Sequence, residues 1–161
     1  MGKLTVDERG KHGLILASGE SFRANGVRDD KEARESLLTV ITRDLGQVTW
    51  RVDFEPEFPP QLCLNNAIPS AIERIRSDPE FQALVLPAAL RQILIWYLWN
   101  DPDENDAEWN KWLAFAKMFG EEIPRTNDQT ELLNWVDELI MNFSTRFEMC
   151  DRLVNTLREE Q

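Results

Sequence analysis

The chain has 161 residues, a mass of 18.8 kDa and a formal net charge of -11, with 42% hydrophobic and 29% charged residues. That length suits one domain with a core of its own, and the composition excludes a wholly disordered, collagenous or low-complexity chain. The charge is uneven: residues 100–161 hold 15 acidic and 6 basic side chains, against 14 and 12 in residues 1–99. A field of this sign excludes DNA or an anionic membrane surface as a partner bound through bulk electrostatics. It leaves simple solubility, or a basic protein partner.

The N-terminus has no apolar run of the kind that opens a secretory signal. No stretch approaches 18 uncharged apolar residues, so no membrane span is expected and the cytoplasm is the expected compartment. Cys63 and Cys150 sit among apolar neighbours and read as small buried hydrophobes.

The first third reads as strands. Leu14-Ile15-Leu16-Ala17 is a short apolar run, followed by turn signals at Ser18-Gly19 and Asn25-Gly26 around Ser21–Ala24. Residues 37–42 are rich in β-branched side chains, and Leu45-Gly46 turns the chain. Val48, Trp50, Val52 and Phe54 then alternate with Thr49, Arg51 and Asp53, which predicts a strand with one buried face and with Trp50 at its centre, buried between sheet and helices. Antiparallel pairing with 37–42 is the expected arrangement. Pro56, Pro59 and Pro60 exclude ladder positions, and Leu62-Cys63-Leu64 reads as a further short strand.

From Ile68 the apolar spacing becomes helical. A helix begins near Ile72, restarts at Ser77-Asp78-Pro79-Glu80 with Ser77 as its cap, and gives way at Pro87 to a helix running Ala88 to Trp99. That last stretch is apolar on most faces, which places it in a core or at an interface. Asp101 to Asp106 reads as an acidic loop. Ala107 to Phe119 is the next helix, closed by Gly120. The final helix is expected from about Gln129 to Glu159, because Leu132, Val136, Leu139, Phe143, Phe147, Cys150, Val154 and Leu157 step by three and four. At 1.5 Å per residue it would exceed 40 Å, as long as the whole domain is wide. Its end must then project, pair with another chain, or bend near Ser144-Thr145.

Three constellations bear on chemistry. Asp101, Asp103 and Asn105 match positions 1, 3 and 5 of an EF-hand loop, but Asp106 stands where the sharp turn wants Gly, and Trp112 where the bidentate carboxylate belongs. The simpler reading is a solvated turn in which Asn105 or Asp106 caps the following helix. Gly19-Glu20-Ser21 gives half a nucleophile elbow, with His12 as the only base to hand. Asp53 and Glu55 at a strand end lack the Lys that a metal-dependent nuclease would add. No catalytic or cofactor motif is complete, so neither an enzyme nor a bound cofactor is expected. Trp96, Tyr97, Trp99, Trp109, Trp112 and Phe115 crowd two consecutive helices around the acidic loop. Core packing accounts for most of such a cluster, and Trp and Tyr also dominate protein-binding hot spots.

The sequence therefore reads as a single α+β domain over 1–161: a small N-terminal antiparallel sheet from residues 13–65, packed against a C-terminal helical layer over 69–159 that ends in a long helix. The expected role is non-catalytic protein binding, as an adaptor or accessory subunit of a cytoplasmic complex. Trp96, Trp99, Trp109 and Trp112 are the candidate contact residues. The partner is a basic protein or a second copy of the chain, with no direct contact to nucleic acid or membrane. Two alternatives belong to other classes: an acidic nucleic-acid mimic that blocks a DNA- or RNA-binding protein, and a metal-assisted hydrolase using the carboxylates of 101–108.

Overall fold

The computed structural model describes residues 37–56 and 58–161, together with the backbone of 16–18. The expected turns at Gly19 and Asn25-Gly26, the charged stretch 29–34, His12 and Ser21 lie outside the described residues. The fold is α+β. In chain order the elements are β1 (Leu16–Ser18), β2 (Leu38–Arg43), β3 (Trp50–Asp53), β4 (Gln61–Asn65), α1 (Ala71–Ser77), α2 (Pro79–Trp99), α3 (Ala107–Phe119), α4 (Gln129–Arg146) and α5 (Met149–Glu159). Two compact units divide the chain. One ends at Gln82, and the other runs Ala83–Gln161, with α2 continuing from the first into the second.

In the first unit the strand order is β1-β2-β4-β3. The sheet is mixed rather than antiparallel throughout: β1 and β4 both run parallel to β2, and only β3 and β4 are antiparallel. The expected partnership of 37–42 with 48–54 is therefore replaced by one strand between them, β4, which pairs with both. Leu62, Cys63 and Leu64 are all wholly buried. A strand covered on both faces shows no alternation, which is why its central place was hidden in the sequence. β3, whose alternation was clearest, is the edge strand. With a neighbour on one side only, Trp50 is half-buried and Val48 exposed, while Val52 alone of the expected face is buried.

Placing β4 between β2 and β3 forces residues 44–49 to cross over the end of β4. Asn65 holds that crossing. Its side-chain amide donates to the carbonyls of Gly46 and Val48, both at 2.8 Å, and its Oδ1 accepts from the Ala67 backbone N–H. The turn itself needs Gly46, whose φ of +61° lies where a Cβ is strained. Helix α1 packs on β2 and β4 through the buried Ala71 and Ile75.

Two helix boundaries differ from expectation. Asp78, not Ser77, caps α2: Asp78 Oδ1 accepts from the Glu80 N–H at 3.0 Å, while Ser77 Oγ donates back to the Glu73 carbonyl. Pro87 lies inside α2 rather than opening a new helix. By length and composition α2 would suffice to cross a membrane; in the folded chain its Leu86, Leu90, Ile93 and Leu94 are wholly buried.

In the second unit the core is a chain of rings. Trp96 meets Tyr97 edge-on, Tyr97 stacks on Trp109 at 5.0 Å, and Trp112 links Tyr97 to Phe115. Phe115 and Phe119 then join Phe143 and Phe147, each pair within about 6 Å between centroids. Helices α2, α3 and α4 are thus joined by aromatic contacts placed at helical spacing.

The expected 30-residue final helix is two helices, α4 and α5, joined through Phe147 and Glu148. The break falls two residues after Thr145, whose Oγ1 donates to the Met141 carbonyl in competition with the helix ladder. Phe147 and Met149 are both buried. Two positions apart on one straight helix they would point some 200° from each other, so a continuous helix could not bury both against one core.

Candidate functional site

The acidic loop after α2 is built for capping. Asp106 Oδ1 accepts from the Glu108 and Trp109 backbone N–H groups at 2.9 and 3.1 Å, which starts α3. Asp103 Oδ1 accepts from the Asn105 N–H, and the Asn110 side chain donates to the Glu104 carbonyl. Asp101, Asp103 and Asn105 are exposed. Among the described residues no three His, Cys, Asp or Glu side chains converge as metal ligands would.

The tryptophans separate into two kinds. Trp109 and Trp112 are buried, so they shape the unit and are not an open contact surface. Trp99 is 45% exposed, and Trp96 is half-buried. Tyr97, edge-on to Trp96, has its hydroxyl pushed above the ordinary phenol range by burial, reinforced by the charges of Glu108 and Asp106.

A concave site is present that sequence reading missed. Residues 120–128 connect α3 to α4, and α4 faces the first part of this connection, residues 120–125. Gly120, Glu121 and Glu122 form one wall, and Glu131, Trp135, Glu138 and Asn142 of α4 the other, around a pocket of about 530 Å³. Its lining holds four glutamates and no lysine or arginine. Trp135 is fixed by its indole N–H, which donates to the Glu121 carbonyl at 3.0 Å, and Asn142 donates to the Phe119 carbonyl at 2.7 Å. A second pocket of about 370 Å³ shares Glu121, Glu122 and Trp135, and adds Leu113, Ile123 and Arg125. The residue types were visible in the sequence as exposed polar positions of an amphipathic helix. Only the return of the 120–125 segment along α4 makes them face one another.

On the sheet, Asp53 gathers a different set of partners. Arg43 Nη1 donates to its Oδ2 at 2.9 Å, Arg51 Nε to its Oδ1 at 2.7 Å, and the Cys63 thiol to its Oδ2 at 3.1 Å. Burial acts to raise the Asp53 pKa, but the hydrogen bonds from Cys63 and Arg51 and the two guanidinium charges outweigh it and hold the carboxyl below its usual value. Cys63 is pushed up to about 12, by burial first and then by its bond to Asp53 and the charge there. A thiol so held keeps its proton and is a poor nucleophile. Asp53 is thus engaged in tying β2, β3 and β4 together. Its approach to Cys63 follows from strand register, since Arg51 stands opposite Cys63.

No protein-family model matches the sequence, no curated protein matches it, and no solved structure matches the fold.

Proposed function

We propose that this chain is a non-catalytic protein-interaction module, an adaptor or accessory subunit working in the cytoplasm, whose helical unit receives a basic and partly apolar segment of another protein. The observation that carries the reading is the pocket of about 530 Å³ between the 120–125 segment and α4, with four glutamates and no positive charge in its lining. A Lys or Arg entering it would exchange water for the carboxylates of its lining, competing at Glu122 with Lys117, which pairs with it at 3.7 Å, and the wall at Trp135 and Leu139 would cover an aliphatic stem. Trp99 offers a separate apolar contact of the type enriched at hot spots.

The test is affinity capture from native lysate with mass spectrometry, using the wild-type chain, a Glu131→Gln/Glu138→Gln variant and Trp99→Ala. Wild type should retain a partner in moderate salt, and the double variant should lose it without a change in melting temperature. Loss only with Trp99→Ala would move the contact to the end of α2. A partner shed steeply as salt rises would instead favour a nucleic-acid mimic, whose attachment is ionic throughout. A wild-type chain that retrieves nothing refutes the proposal.

A further inference from the structure

The joint between α4 and α5 is a strained break in a sequence that is helical on both sides. Glu148 has φ 50° and ψ 43°, the left-handed region where a side chain with a Cβ is disfavoured and where glycine usually stands at helix ends. No Gly or Pro occurs anywhere from Gln129 to Glu159. Phe147, at φ -95° and ψ 7°, is the only other residue at the joint outside regular helix. Two residues' dihedrals separate the bent form from one continuous helix. The strain is offset by burying Phe147 and Met149.

A second observation concerns the stripe that continues the apolar face of α4. In the bent form α5 fully buries only Met149. Cys150 is exposed, Val154 half-buried and Leu157 42% exposed. These three positions carry on the three-and-four spacing of Val136, Leu139, Phe143 and Phe147. The bent form therefore leaves unused the apolar face that a straight helix would present, and Met149 is the one α5 side chain whose full burial is surrendered when α5 leaves its seat.

We propose that α4 and α5 straighten into one helix and that two copies of this chain then exchange α5 reciprocally, each docking on the other. The exchange relieves Glu148 in both chains, keeps the native seat of α5 filled, and covers the Cys150–Leu157 stripe where the two straight helices meet. Short strained hinges favour such exchange. The inference stands on the hinge and is independent of the acidic pocket.

The experiment compares the full-length wild type with Glu148→Gly across protein concentration, by size-exclusion chromatography with light scattering, and follows Cys150 with a thiol reagent. Glycine occupies the left-handed conformation without strain and is poor inside a helix, so both effects favour the bent monomer. Wild type should show a slowly dissociating dimer in which Cys150 is protected. Glu148→Gly should raise the dimer dissociation constant at least about tenfold with an unchanged or higher melting temperature. A wild type that stays monomeric up to about millimolar concentration overturns the proposal. So does a dimer indifferent to Glu148→Gly, or one whose Cys150 reacts as fast as in the monomer.

Discussion

Phe143 is the position at which the aromatic core of the second unit is most concentrated. It is 1% exposed and touches the rings of Phe115, Phe119 and Phe147 at 6.0, 5.4 and 4.9 Å. Cutting it to alanine removes its own transfer energy and leaves a hole bounded by three rigid rings from two other segments. Phe→Ala in a core costs about 3–5 kcal/mol, and ring walls that cannot collapse inward place this case toward the upper end. Aromatic pair energies of about 0.5–1.5 kcal/mol each are part of that loss and are not added to it. Against a total stability of about 5–15 kcal/mol, the variant should unfold the second unit at much lower denaturant. Tryptophan fluorescence in urea is the assay, because five of the six tryptophans lie in this unit and Trp50→Phe removes the sixth. Met141→Ala, on the same helix but 60% exposed, is the control and should change stability by less than about 0.5 kcal/mol. A Phe143→Ala loss below about 1.5 kcal/mol, or a Met141→Ala loss above it, would refute the placement of α4's faces.

Three further outcomes follow from the same structure. Trp50→Ala should cost about 2 kcal/mol rather than the larger loss of a fully buried tryptophan, since this edge-strand residue is half-buried; a loss above about 4 kcal/mol in denaturant melts would show a cover over it that the strand order does not imply. Asp106→Ala removes the acceptor for two N–H groups at the start of α3 and should lower stability by about 1 kcal/mol, with the urea midpoint shifting at constant slope; no shift would mean that the cap is replaced by water. Alkaline stability should follow Cys63: the unfolded thiol loses its proton near 9.0 and the folded one near 12, so its contribution is intact below pH 9 and drains between these values by about 1 kcal/mol per pH unit. Comparing the pH dependence of the melts with that of Cys63→Ala checks this, and equal alkaline slopes in both proteins would contradict it.

The α+β class, the order of strands before helices and the helical register of the aromatic cluster all follow from the sequence, because each is written in local periodicity. Val48 to Phe54 alternates, Trp109, Trp112, Ala116 and Phe119 step around one helix face, and Asp106 stands where a cap is wanted. What the tertiary structure alone decided is whatever depends on residues far apart in the chain. Leu62-Cys63-Leu64 is the centre of the sheet, a place that no two-residue period reveals once both faces are covered. Trp109 and Trp112 differ from Trp99 only in what the neighbouring helix lays over them. The acidic pocket exists because the 120–125 segment returns along α4, setting Glu121 and Glu122 opposite Glu131 and Glu138. The final helix breaks without Gly or Pro because Phe147 and Met149 are both drawn into the core, and burying both outweighs the local preference to continue.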